Sequence, residues 1–118
     1  PIVPYEGGPM QSRLLRWGAG FTDAPTHFVG AEDWVATWAG HNGCEPTPEA
    51  IPPSGDVSGV RYVGCDEDAA VVLYTIEKGG HTWPGGWPIP GVGKTSQDID
   101  ATEELWQFFE GYRLKEAP

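Results

Sequence analysis

The sequence predicts an α/β chain with too little sheet of its own: about two helices, a β-hairpin with one core strand, and large ordered loops. Three observations carry this expectation. Apolar residues recur at helical spacing in residues 31–42 and 100–112. One β-prone run, Val71-Val72-Leu73-Tyr74-Thr75-Ile76, is almost continuously apolar, as in a strand covered on both faces. Finally, 17 Gly and 12 Pro among 118 residues break the chain into many turns.

The elements follow in order. Residues 1–30 carry breakers at Pro4, Gly7, Gly8, Pro9, Gly18, Gly20 and Pro25 and read mostly as ordered loop, with a short helical or extended piece around Leu14, Leu15 and Trp17. Residues 31–42 read as a helix. Trp34, Val35 and Trp38 share a face, Glu32 and Asp33 sit in the first turn, and Asn42-Gly43 supplies a left-handed stop. Residues 45–59, rich in Pro, Gly and Ser, read as loop. Val60–Val63 and Val71–Ile76 form the expected hairpin around the solvated acidic turn Asp66-Glu67-Asp68. Residues 81–97 return to loop. The last helix opens on the capping-box pattern Asp100-x-x-Glu103, with Leu105, Phe108 or Phe109, and Tyr112 on its apolar face. Asp98 and Asp100 both read as helix-capping carboxylates. Trp34, Trp38 and Trp106 read as core.

Composition narrows the function classes. The net charge of −10 disfavours a nucleic-acid backbone or an anionic membrane surface as partner. No apolar stretch approaches the roughly 20 residues that span a membrane. The opening Pro1-Ile2-Val3-Pro4 is not a signal peptide and reads as internal to a longer polypeptide. Residues 1–118 are therefore expected to form one partial domain. Six tryptophans argue against simple disorder, because so much aromatic surface needs burial or a ligand. Cys44 and Cys65 form no CxxC pair, and although His41 and Cys44 have ligand-like spacing, no metal site is expected. Two buried thiols are one reading of the cysteines; the Pro/Gly-rich, core-poor segment between them favours a disulfide. A disulfide places the chain among secreted or periplasmic proteins.

The chemistry-bearing motif is Gly79-Gly80-His81-Thr82-Trp83-Pro84-Gly85-Gly86, a histidine between the β-prone run 71–76 and the last helix. A histidine in a loop at a strand's carboxyl end is placed to act as a general base. With the preceding Tyr74-Thr75-Ile76-Glu77, this stretch resembles the catalytic-histidine motif of the secreted polyhydroxybutyrate depolymerase and feruloyl esterase family. Asp98-Ile99-Asp100-Ala101-Thr102-Glu103, Trp106 and Phe108-Phe109 resemble that family's last helix. Ala31-Glu32-Asp33, Trp38-Ala39, Asn42-Gly43-Cys44 and Tyr62-x-x-Cys65 are similar to its preceding stretch, and Pro1-Ile2-Val3-Pro4-Tyr5-x-Gly7-Gly8 to the segment just after its catalytic aspartate. Residues 9–29 match weakly. Lys78 stands where a third glycine commonly precedes the histidine.

The resemblance implies the C-terminal fragment of an α/β-hydrolase with a Ser-Asp-His triad and no cofactor. His81 would be the general base. The aspartate would lie immediately before Pro1 and the GxSxG serine far upstream. Ser12, Ser54, Ser58 and Ser96 all lack glycines two residues before and after, so His81 is the one triad member here. Trp83 and Trp87 either line an acyl or aromatic-acid pocket or anchor their loop by packing. His27 and His41 read as ordinary surface or helix-end residues. The expected partners are an ester substrate in the intact enzyme and a complementing N-terminal part or a second copy, because the strand 71–76 wants a neighbour on each side. The alternative is a small secreted Trp-rich module that binds carbohydrate or aromatic groups.

Overall fold

The first helix is held at both ends by backbone hydrogen bonds. In the computed structural model, which describes residues 4–9 and 27–113, α1 spans Ala31–His41. The amide of Ala31, one of the four donors that a helix start leaves unpaired, donates to the Tyr5 carbonyl at 2.8 Å. Gly43, at φ 66°, ends the helix. Its N–H donates to Gly40 O at 3.2 Å and that of Cys44 to Ala39 O at 2.9 Å, the paired bonds of a left-handed helix stop. The expected Asn42-Gly43 terminator therefore does its work through backbone geometry. The predicted piece around Leu14, Leu15 and Trp17 lies outside the described residues.

The strands make two small antiparallel sheets. β1 (Gly8–Pro9) pairs with β2 (His27–Phe28), with Gly8 opposite Phe28 and Pro9 opposite His27. β3 (Glu49–Ser54), β4 (Val57–Tyr62) and β5 (Val71–Ile76) form a three-stranded sheet in that order. Val60 and the run from Val71 are thus in neighbouring strands, as expected. The loop expected over 45–59 is not one. It supplies β3 and the start of β4, so the hairpin grows into a three-strand meander. Pro52 and Pro53 concealed the strand in the sequence; β3 is the sheet's edge, where of two adjacent residues only one faces the ladder, so the pair costs at most one ladder bond. Gly55, at φ 57°, makes the sharp turn into β4.

The chain divides into two compact units, residues 1–51 with 59–74 and residues 52–58 with 75–118. The core of the first is small. Val35 and Ala39, four residues apart on α1, bury against Tyr62, with Cys44, Val60, Val71 and Leu73 packed around them. Cys44 and Cys65 are joined in a disulfide, as the sequence favoured. Trp34 and Trp38 are not core, contrary to expectation. They stand exposed on the adjoining face, edge to face at 6.3 Å, and Trp38 meets His41 at 5.6 Å. Four apolar positions (34, 35, 38 and 39) compete for one stripe, and the smaller pair takes it.

In the second unit α2 spans Ala101–Glu110, inside the predicted range. Asp100 caps it, its Oδ1 accepting from Thr102 N at 2.9 Å and Glu103 N at 3.1 Å. The reciprocal half of the capping box is missing, since Glu103 Oε1 instead accepts from Gln107 Nε2 at 2.7 Å. The expected burial of the helix's apolar stripe does not occur. Leu105, Trp106, Phe109 and Tyr112 are exposed, and Phe108 is half-buried between Phe109 and Tyr112 at ring distances of 5.5 and 5.0 Å. The physical reason is supply: among the described residues of this unit, Val57 is the one buried apolar side chain.

Candidate functional site

His81 sits in a loop built from backbone. Its N–H donates to Val92 O at 2.8 Å, and Gly80 N donates to Lys94 O at 2.7 Å. Thr82 Oγ1 donates to the same Lys94 carbonyl at 3.1 Å, and Gly79 forms a parallel bridge with Lys94. The two segments approach so closely that a Cβ on Gly80 would lie 2.5 Å from Val92 O. Glycine at position 80 is thus required by the close approach of two backbones. The imidazole itself is exposed, and among the described residues it has no hydrogen-bond or ion-pair partner.

After the histidine the chain turns and docks on the start of α2. Gly86 N donates to Trp83 O at 3.0 Å, Gly85 N to Ser96 O at 2.8 Å, and Ala101 N to Pro84 O at 3.1 Å. Trp83 Nε1 donates to Thr102 Oγ1 at 3.0 Å, so its indole ties the histidine loop to the first turn of α2. Trp87 is 90% exposed. The sequence paired these two tryptophans; the structure gives one a tether and leaves the other's ring in solvent. Trp106, expected in the core, is 66% exposed.

A second cluster was not legible in the sequence. Asp56, in the turn between β3 and β4, has Oδ2 against the Lys94 ammonium, while its Oδ1 accepts from Ser96 Oγ at 2.5 Å. Ser96 Oγ in turn accepts from Asp98 N at 3.2 Å, and Asp98 Oδ2 accepts from Asp56 N at 3.0 Å. The ring Asp56–Ser96–Asp98 closes on itself. Asp98, expected to cap the last helix, therefore fixes the β3–β4 turn, and Asp100 alone is the cap. The Lys94 contact, then the Ser96 bond, holds the Asp56 carboxyl below the ordinary 3.8. Asp56 likewise raises the Lys94 ammonium above 10.5.

Serine, lysine and aspartate together are also the ingredients of an activated nucleophile, but this cluster is not arranged as one. Ser96 is 2% exposed and its proton is committed to a carboxylate. An ammonium raised above 10.5 stays protonated and cannot serve as a base. Ser54 and Ser58 are exposed strand residues, and Ser12 lies outside the described residues. Among the described residues no group of three or more His, Cys, Asp or Glu side chains is placed to hold a metal ion. No helix among them is long and apolar enough to cross a membrane.

Compared with protein-family models, curated proteins and solved structures, the chain matches none. The site must therefore be read from its own chemistry. That chemistry is an accessible imidazole on a loop stitched to a neighbouring segment, with one tethered and one free tryptophan beside it in the chain.

Proposed function

We propose that this chain is the C-terminal part of a secreted serine esterase of the α/β-hydrolase type, acting on polyhydroxyalkanoate or hydroxycinnamate esters, with His81 as the general base. The observation that carries the reading is the state of His81. Its backbone is fixed by a bond from its own N–H and by those of Gly80 and Thr82, while its ring has no partner among the described residues and faces solvent. A general base needs both a fixed position and a ring available to another group. In the intact enzyme His81 would take the proton of an upstream serine as its oxygen attacks the ester carbonyl. It would return that proton to the departing alcohol, leaving an acyl-enzyme. Water activated through the same ring would then release the acid. The exposed apolar stripe of α2 and the disulfide fit a secreted chain completed by an N-terminal part or a second copy.

Ester hydrolysis tests the reading. The 118-residue chain alone is expected to turn over neither p-nitrophenyl butyrate nor methyl ferulate. A chain extended upstream of Pro1 is expected to hydrolyse one of them and to lose that activity on His81→Ala. An extended, folded chain inert toward both ester classes overturns the proposal. The second reading, a Trp-rich binding module, is favoured by one observation, the free ring of Trp87. Saturable quenching of tryptophan fluorescence by soluble oligosaccharides, lost on Trp87→Ala, would support it instead.

A further inference from the structure

The imidazole of His81 has no partner of its own among the described residues, so its place is set by what holds its backbone. Two of the bonds that do so, from Gly80 N and Thr82 Oγ1, converge on one acceptor, the Lys94 carbonyl, and they flank the histidine on either side. The third, from His81 N, goes to Val92, two residues before Lys94. The same lysine is anchored at its other end, where its ammonium lies against the Asp56 carboxylate. That carboxylate is 11% exposed and is itself held by Ser96.

We infer that Lys94 is a positioning residue for His81: the Asp56–Lys94 ion pair clamps the segment whose carbonyls carry the histidine loop. The inference rests on the reading of His81 as the general base. A base displaced by about an ångström loses much of its effect. An isolated, exposed ion pair contributes little. This one differs because both Asp56 oxygens are engaged and the serine behind them is buried. Lys94 touches no reacting group; it acts through the peptide that carries its own carbonyl.

The chain's three histidines make the test specific, since His27 and His41 lie in the other compact unit and serve as internal references. In the 118-residue chain, Lys94→Met is expected to shift the His81 amide and ring resonances. It should also speed hydrogen exchange of the Gly80 and His81 amides by about tenfold. The His27 and His41 resonances should stay in place, and Lys94→Arg, which keeps the charge, should restore the His81 signals. Unmoved His81 signals in a folded Lys94→Met chain overturn the inference. Should all three histidines move because the variant unfolds, the wild-type chain decides. Acid titration of the Asp56 side-chain carbon must then carry the Gly80 amide nitrogen, which is bonded to the Lys94 carbonyl, through the same midpoint, and a Gly80 amide that does not move through that midpoint overturns the inference. Failure of the esterase reading would appear in ester turnover and would leave these spectra unchanged.

Discussion

The Lys94 ammonium lies against one oxygen of Asp56, and the other oxygen accepts the buried Ser96 hydroxyl at 2.5 Å. This pair gives the second unit a defined pH window. The groups facing it are Ser96, Asp98 and, for Lys94, Glu77. Asp56 is held below its ordinary 3.8, so its contribution is present above that value and is lost as pH falls through the folded-state value. Lys94 is raised above 10.5, so its contribution is complete below that value and is lost as pH rises through the folded-state value. Asp56→Asn should therefore lower the urea midpoint most between these limits. The difference from wild type should shrink toward both ends of the pH scale. A gap that stays constant in strong acid would show that the carboxylate's charge is irrelevant.

Lys78 adopts φ 56°, a left-handed conformation that costs a side-chain-bearing residue about 1–2 kcal/mol. Its contact with Glu77, 3.9 Å between two exposed side chains, offsets almost nothing. Glycine avoids the strain but gives up roughly 0.5–1 kcal/mol in extra unfolded-state freedom. Lys78→Gly should therefore stabilise the chain by about 0.5–1 kcal/mol in urea unfolding. Destabilisation would mean that Lys78 makes a contact outweighing its backbone strain.

What was legible in the sequence divides by range. α1, its left-handed stop, the Asp100 cap and the run Val71–Ile76 were readable because spacing and capping act within a few residues. The strand Glu49–Ser54 was not, because its prolines count as breakers until its edge position is known. The exposure of Trp34, Trp38 and Trp106 was not legible either, since periodicity marks an apolar face without showing what covers it. In the site, the His81 loop announced itself through its glycines. The Asp56–Ser96 bond joins residues 40 apart and carries no local signal. The mutual fixation of Asp56 and Asp98 was hidden by the simpler explanation that Asp98 caps a helix.

The Cys44–Cys65 bridge lies beside the core formed by Val35, Ala39 and Tyr62 and closes a loop of sequence separation 21. A loop of that size contributes about 3 kcal/mol by restricting the unfolded chain. Few side chains back it, since that core cluster has three buried members. Reduction, or Cys44→Ser with Cys65→Ser, should lower stability by about that amount, read as a fall in unfolding temperature. Thiol titration of the denatured chain should find no free cysteine before reduction and both after it. An unchanged unfolding temperature after reduction would show that the loop stays ordered without the covalent link.

Trp83 and Trp87 are four residues apart in sequence, and the structure assigns them different work. The Trp83 indole N–H is used on Thr102, at the first turn of α2, whereas Trp87 stands 90% exposed. Trp83→Phe keeps an aromatic ring but removes that donor together with part of the indole's packing surface, so it should cost at least about 1 kcal/mol, the usual net value of one hydrogen bond. Trp87→Ala should change stability by no more than about 0.5 kcal/mol, as expected of a surface substitution. The pair thus separates loop anchoring from ligand contact within one measurement series. If Trp87→Ala weakens oligosaccharide or ester binding at unchanged stability, its ring contacts the ligand. If Trp83→Phe leaves the unfolding midpoint where it was, the bond to Thr102 does not hold the histidine loop on α2, and the loop depends on its remaining hydrogen bonds, with Val92, Lys94, Ser96, Gln97 and Ala101.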